Sequence, residues 1–167
     1  MSHYLQELRT LNDQAGKLKA PEITKVRSIA VHDDQVKFVG TAKEFLADSD
    51  DATHLHVIKH NDQVVGCFKI DIAYAESYDF CIEGSIGLRA FLIDAKHQGR
   101  GLGTLAVKAL FPYLKENYAN YPRIYLTVNA KNPAAHICYQ KAGFHETGEQ
   151  YLGGAAGPQH IMYWEIQ

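Results

Sequence analysis

Gln98-Gly99-Arg100-Gly101-Leu102-Gly103-Thr104 is the stretch that decides the fold, and it lies between an apolar run (residues 88–93) and a long amphipathic segment. Its glycines at alternate positions leave the turn without Cβ atoms, so that backbone N–H groups can converge on a bound anion. A helix that begins in this turn adds the positive end of its dipole. The sequence therefore predicts a strand, a phosphate-binding turn and a helix, in that order.

Two common phosphate-binding motifs do not fit this turn. A nucleotide P-loop requires a lysine after its last glycine, whereas Gly103 is followed directly by Thr104. The dinucleotide fingerprint fits the glycine spacing only nominally, because a polar stretch (residues 94–98) separates it from the preceding strand. The next predicted strand (residues 123–128) ends at Asn129 and therefore lacks the acid that would bind a ribose.

Two motifs of the chain resemble those of the GCN5-related N-acetyltransferases, the GNAT family, whose members bind acetyl-CoA. The turn is similar to the family's pyrophosphate loop, and a later segment matches its second signature, Asn-x-x-Ala-x-x-x-Tyr, with Gly-Phe following at the expected distance. The resemblance extends from Val64 to the C-terminus. It implies an α/β fold in which helices flank a mixed, mostly antiparallel central sheet. The matching residues are Gln98, Gly101, Gly103, Asn132, Ala135, Tyr139, Gly143 and Phe144.

Length and composition favour one globular domain that spans residues 1–167, since 46% of the residues are hydrophobic and 22% are charged. The net charge of −2 provides no positive field for nucleic acid. We expect a cytoplasmic protein without membrane contact, because the sequence shows no signal peptide and no run of roughly 18 apolar residues. A homodimer is compatible with the resemblance, because many GNAT members dimerise.

Cysteine and histidine spacing does not indicate a metal site. Cys67, Cys81 and Cys138 are odd in number and lack Cys-x-x-Cys spacing, which argues against both a disulfide framework and zinc. His54 and His56 alternate as on one face of a strand, without an evident third ligand. We therefore expect these histidines to pack or to lie at the surface, and we expect no metal.

Hydrophobic patterns predict the order of the other elements. Residues 55–59 and 64–72 form a hairpin through Asn61-Asp62. Residues 71–83 are expected to be a loop or an extended strand end, residues 4–11 a strand or a short helix, and Pro21 with Glu22 indicates a helix start. The remaining predictions are strands at 85–93, 123–128, 144–149 and 160–166, a helix at 101–117, and a helix that Asn132 caps and Gly143 ends.

The resemblance implies a binding mode for the co-substrate, acetyl-CoA. Backbone N–H groups of the turn would hold the pyrophosphate, and Arg100 adds charge unless it faces solvent. The pantetheine arm would lie along the preceding strand as an added strand. Asn132 would contact the cofactor, cap its helix, or do both. The implied cofactor residues are Phe91, Leu92, Ile93, Gln98, Gly99, Arg100, Gly101, Leu102, Gly103, Thr104, Asn132 and Ala135.

The resemblance also implies direct attack of an amine on acetyl-CoA in a ternary complex, with Tyr139 as the general acid. A phenol of pKa about 10 can protonate a departing thiolate that it contacts. From helical spacing alone, Tyr139 would be interpreted as a core residue. The amine must lose a proton, and we rank Glu83 first as its base because it adjoins the central strand, ahead of Glu76 and Asp79.

Residues 71–83 are the candidate acceptor segment. They contain four acids, no lysine or arginine, and the aromatic residues Tyr74, Tyr78 and Phe80, a combination that suits a cation but also a solvated loop. Glu76 and Asp79 are the candidate substrate-binding residues. Residues 89–94, 98–101 and 123–126 resemble the bacterial spermine/spermidine acetyltransferases within the family, which implies a polyamine as the small-molecule acceptor. Another amine as acceptor, or a non-catalytic domain that senses acetyl-CoA, stays open.

Overall fold

The computed structural model describes residues 51–61 and 63–167 together with the backbone of residues 7–10, and the seven strands found there form one sheet. Across the sheet their order is β1-β2-β3-β4-β5-β7-β6. The helices are α1 (Tyr74–Ser77), α2 (Leu102–Asn117) and α3 (Pro133–Ala142), and a 3-10 turn spans Ala95–His97. The strands are β1 (Glu7–Thr10), β2 (Thr53–His60), β3 (Gln63–Asp71), β4 (Ile86–Ile93), β5 (Arg123–Asn129), β6 (His145–Tyr151) and β7 (Gln159–Glu165).

Neighbouring strands are antiparallel except for β4 and β5, which confirms the expected mixed, mostly antiparallel sheet. β4 and β5 pair in parallel only through Ile86 with Ile124 and Gly87 with Tyr125. Beyond these residues the two strands separate. The second half of β4 therefore has no strand partner on its β5 side within the described part of the chain.

A β-bulge lies in β4 where the strand begins to leave β5. Cys67 pairs with Leu92 and Lys69 pairs with Arg89, so that β4 has one residue more than β3 over the same span. Ala90 within it has a φ of 53°, which is uncommon for a residue with a Cβ atom. A bulge bends its strand and redirects the side chains next to it.

The helices pack on the sheet as the apolar patterns require. α2 and α3 share a core with one face of the sheet, and the predicted stripe of α2 is buried at Leu102, Ala106, Leu110 and Leu114. α2 continues through Pro112 as one element. The other face carries α1 and a smaller aromatic core. The two faces thus differ: one is aliphatic and helical, and the other is rich in tyrosine.

The predicted strands and the helices that became α2 and α3 are confirmed, whereas the prediction of a loop or strand for residues 71–83 is wrong at α1. The Asp71 carboxylate accepts a hydrogen bond of 2.9 Å from the Ala73 N–H, and this contact holds the chain at the start of a helical turn. For residues 4–11 the strand alternative is confirmed at β1. The predicted helix start at Pro21 lies outside the described residues.

Candidate active site

A cleft of about 560 Å³ opens where β4 and β5 separate. Residues 88–93 of β4 form one wall, and residues 126–129 of β5 form the facing wall. The turn before α2, the start of α3, and Tyr74 and Tyr78 complete the lining. A concave site of this size, at the point where a sheet splits, is suited to a small-molecule ligand or cofactor.

The glycine turn lies against this cleft in a conformation that only glycine adopts without strain. Gly99 and Gly101 have φ values of 78° and 76°, and Gly101 is the N-cap of α2. A Cβ atom at either glycine would meet nothing within 4 Å, so the backbone conformation, rather than crowding, accounts for glycine here. The Gln98 side chain donates a hydrogen bond of 2.8 Å to the Ile93 carbonyl, which ties the turn to the end of β4.

Most of the predicted turn residues line the cleft, and one does not. Gln98, Gly99 and residues 101–104 belong to the lining. Arg100 is exposed, lies outside the lining, and its guanidinium hydrogen-bonds the His97 ring. The N-terminus of α2 and the glycine backbone, rather than the Arg100 side chain, are therefore the groups that border the cleft and are suited to an anion.

The second half of β4 presents its backbone along the cleft. Phe91, Leu92 and Ile93 all line it, and their peptide groups have no β5 partner because pairing ends at Gly87. Unpaired groups on a strand edge are a template for an extended ligand that adds as a strand. The predicted slot for a pantetheine arm has this geometry.

Tyr139 of α3 lines the same cleft and packs against Phe91, with ring centroids 6.1 Å apart. Its hydroxyl makes no hydrogen bond to the described residues. Burial, together with the neighbouring Cys138 thiol, raises the pKa of Tyr139 well above its ordinary value, so the phenol holds its proton at neutral pH. A protonated, unengaged hydroxyl beside the β4 slot is what a general acid requires.

Asn132 and Ala135 lie at the start of α3 and also line the cleft. The Asn132 side-chain oxygen accepts from the Ala135 N–H at 3.4 Å, and Pro133 occupies the first helical position. The interpretation of Asn132 as an N-cap is therefore confirmed. Its predicted contact with the cofactor stays a prediction.

Comparison with known proteins identifies the family. The sequence profile of the acetyltransferase (GNAT) family matches residues 18–144. The chain belongs to the GNAT family. It is accordingly an acetyl-CoA-dependent N-acetyltransferase, as the two motifs imply.

Individual relatives of this GNAT enzyme act on amines. The spermine/spermidine N(1)-acetyltransferase of Bacillus subtilis (strain 168) is 31% identical over 134 residues, which cover 77% of this chain and 85% of that protein. Spermidine N-acetyltransferase from Vibrio cholerae, solved with CoA and spermine, has a TM-score of 0.66 at 20% identity and covers 96% of this chain and 95% of its own. The aminoglycoside acetyltransferase AAC(6′)-Ib, solved with ribostamycin and coenzyme A, has a TM-score of 0.72 at 21% identity, with 95% and 92% covered.

The three acids predicted for this GNAT site lie outside the cleft that Tyr139 lines. Glu76, Asp79 and Glu83 are exposed and lie outside the cleft lining. No carboxylate is present among the described residues that line the cleft. The predicted roles of the three acids as base and as substrate ligands stay predictions. Any action of Glu83 at the reacting nitrogen would have to pass through water.

Arg89 is a cleft residue that sequence reasoning missed, and it is the only charged side chain among the described lining residues. Its Nε donates to the Asp71 carboxylate at 2.9 Å, and its guanidinium lies 4.9 Å from the Tyr74 ring centroid and 5.5 Å from that of Tyr78. Burial alone would lower the pKa of Arg89, but its hydrogen bond to Asp71 raises it. The sequence signal that could have identified Arg89 is a lone arginine within the apolar run of β4.

Described histidines of this GNAT enzyme also lie away from the cleft. His56 is buried, stacks on Phe68 and hydrogen-bonds the Tyr113 hydroxyl, which confirms the predicted packing role. The ligand atoms of His136, Glu146 and His160 lie within 4.8 Å of one another, outside the cleft. The two imidazole rings of that cluster stack 4.0 Å apart and nearly parallel, so their in-plane lone pairs do not converge on one ion.

None of the described helices is long and apolar enough to cross a membrane.

Proposed function

We propose that this GNAT enzyme transfers the acetyl group of acetyl-CoA to a primary amine of a polyamine, by direct attack within a ternary complex. The observation that carries the proposal is the meeting of the glycine turn, the unpaired backbone of β4 and the Tyr139 side chain in one cleft. These parts supply an anion site, a strand-like slot and a proton donor. In the binding mode that the family resemblance implies, they would meet the pyrophosphate, the pantetheine arm and the thioester of CoA.

Each chemical step has a group available to it. The amine nitrogen attacks the thioester carbonyl carbon, the carbon–sulfur bond breaks, and the departing thiolate takes the proton of the Tyr139 hydroxyl. The amine releases its proton to water, and the tyrosinate recovers one from solvent. The cofactor residues are those predicted from the motifs, with Arg100 contributing only if its side chain turns toward the phosphates.

A polyamine is supported as the acceptor by two observations. The 31%-identical relative from Bacillus subtilis carries the name spermine/spermidine N(1)-acetyltransferase. In addition, Glu76, Asp79 and Glu83 are exposed in the segment that places Tyr74 and Tyr78 in the cleft. We refer to these three carboxylates as the acidic rim. They would attract a polycation and hold its distal ammonium groups.

The test is the release of CoA thiol from acetyl-CoA against a panel of acceptors. The panel contains spermidine, spermine, a diamine, free amino acids, an aminoglycoside and short peptides. We expect saturable turnover with spermidine and spermine and a kcat/KM for them well above that for the amino acids. Turnover confined to the aminoglycoside or to peptides would overturn the polyamine assignment and leave the amine acetyltransferase intact.

A further inference from the structure

The lining of the cleft carries a positive charge, although the proposed acceptor is itself a cation. Arg89 is the one charged residue of the described lining, while the acids Glu76, Asp79 and Glu83 stay outside it. An amine that enters the cleft thus meets the Arg89 cation and no carboxylate of the described lining. Alkyl ammonium groups have pKa values of about 10.4, so the reactive neutral amine is rare at pH 7 unless the site favours it.

The surroundings of Arg89 fix its guanidinium at the cleft wall. Asp71 of β3 contacts it with one carboxylate oxygen and accepts from the Ala73 N–H with the other. The Asp71 side chain is 13% exposed and that of Arg89 is 37% exposed, so the cation is the more accessible partner of the pair. Both carboxylate oxygens are engaged, and Asp71 does not belong to the cleft lining, so it does not serve as a base there.

Two tyrosines and a lysine also lie close to Arg89. Tyr74 and Tyr78 of the α1 segment offer their ring faces to the guanidinium. Burial, with a contribution from the nearby Tyr78, raises the pKa of Tyr74 well above its ordinary value, so that phenol is neutral. Lys69 of β3, the cross-strand partner of Arg89, is buried and lies outside the cleft lining.

We propose that Arg89 disfavours the ammonium form of the acceptor amine inside the cleft, and that this effect replaces a carboxylate base. The inference rests on the proposed function. A like charge within a few ångströms destabilises the protonated form of an amine, typically by one or more pKa units. The reacting amine enters as the neutral base, and the distal ammonium groups of a polyamine remain at the acidic rim.

The pH profile of kcat tests this role, because at saturating acceptor it reports ionisations within the ternary complex. We expect Arg89→Gln to move the acid limb to higher pH by about one unit. Arg89→Lys keeps the charge and is expected to leave the limb at its wild-type position, even where kcat falls. Asp71→Asn keeps one acceptor oxygen, replaces the other with an NH2 donor and removes the opposing charge, and is expected to move the limb to lower pH.

Arg89→Gln and Asp71→Asn are expected to shift the acid limb in opposite directions, so a role of the Arg89 charge can be distinguished from a structural role. A merely structural Arg89 would lower kcat in both Arg89 variants and shift neither limb, and this result would overturn the inference. If Arg89→Gln does not fold, as judged by its thermal unfolding, the shift in Asp71→Asn decides the matter alone. Absence of turnover with every amine of the panel in the wild-type enzyme would overturn the proposed function, and the inference about Arg89 with it.

Discussion

Gly87 of β4 lies directly against the ring of Tyr74, so close that a Cβ atom at position 87 would overlap the ring carbons. Tyr74 is buried, lines the cleft, and hydrogen-bonds Thr127 of β5, while Gly87 is one of the two β4 residues that still pair with β5. The absent side chain thus allows a tyrosine to cross β4 at the point where the sheet splits. This contact positions the Tyr74 ring, which is part of the cleft lining.

Gly87→Ala is expected to destabilise the protein by about 1–3 kcal/mol, because a methyl group would be forced into a filled space. It should also raise the KM for the acceptor more than that for acetyl-CoA, since Tyr74 lies away from the glycine turn. Urea unfolding and steady-state kinetics measure the two effects. Gly103→Ala is the matched control for stability, because its Cβ would make only an ordinary 3.4 Å contact with the Cys138 sulfur. Equal stability of the two variants would contradict the overlap.

Tyr139→Phe is expected to lower kcat about tenfold or more while the affinity for acetyl-CoA changes little, because only the proton donor is removed. Since burial keeps the phenol protonated, the wild-type kcat should not decline on the basic side until the pH passes the ordinary tyrosine range near about 10. Stopped-flow thiol release gives kcat, and calorimetry gives the affinity. Tyr121→Phe, outside the cleft, is the control. An unchanged kcat in Tyr139→Phe would remove this residue from the mechanism.

Gly101→Ala is expected to weaken acetyl-CoA binding by distorting the turn that aims N–H groups at the pyrophosphate. The chain offers a close control in Gly148 of β6. Both glycines have positive φ, 76° and 84°, and a Cβ atom at either would meet nothing within 4 Å. Both alanine variants should therefore lose about 1–2 kcal/mol of stability, but only Gly101→Ala should bind acetyl-CoA more weakly. Equal affinities would show that this turn does not hold the cofactor.

The turn and the helix caps could be predicted because their information is local. Gly101, Asn132 and Gly143 each specify a backbone conformation or a cap within a few residues of themselves, and the structure places all three as expected. The mixed, mostly antiparallel sheet was implied by the family resemblance, whereas its strand order was not predicted. The acceptor role of residues 71–83 stays a prediction: Tyr74 and Tyr78 of this segment line the cleft, whereas its predicted acids lie outside the lining.

Arg89 and the bulge at Ala90 could not be predicted, since both depend on residues far away in the sequence. The bulge arises from the register of β4 against β3, and the backbone preferences of alanine do not predict a φ of 53°. Asp71 was counted among the acids of the acceptor segment, but its charge is balanced by an arginine 18 positions later. Local composition therefore counted Asp71 as a carboxylate that could bind a cation, although the fold pairs it with Arg89.

His56 makes the stability of the fold depend on acid. Burial lowers the pKa of His56 from about 6.5 to about 3, although the His54 carbonyl partly opposes this shift. Between these two values the unfolded chain binds a proton that the folded chain rejects, so the free energy of unfolding should fall by up to about 1.4 kcal/mol for each unit of acidification. His56→Gln should lower stability at pH 7 and remove this part of the slope between pH 6.5 and 4. His145→Gln, at an exposed site, should keep the wild-type slope, and urea unfolding at several pH values measures all three proteins. A slope unaffected by His56→Gln would mean that another group controls the acid sensitivity.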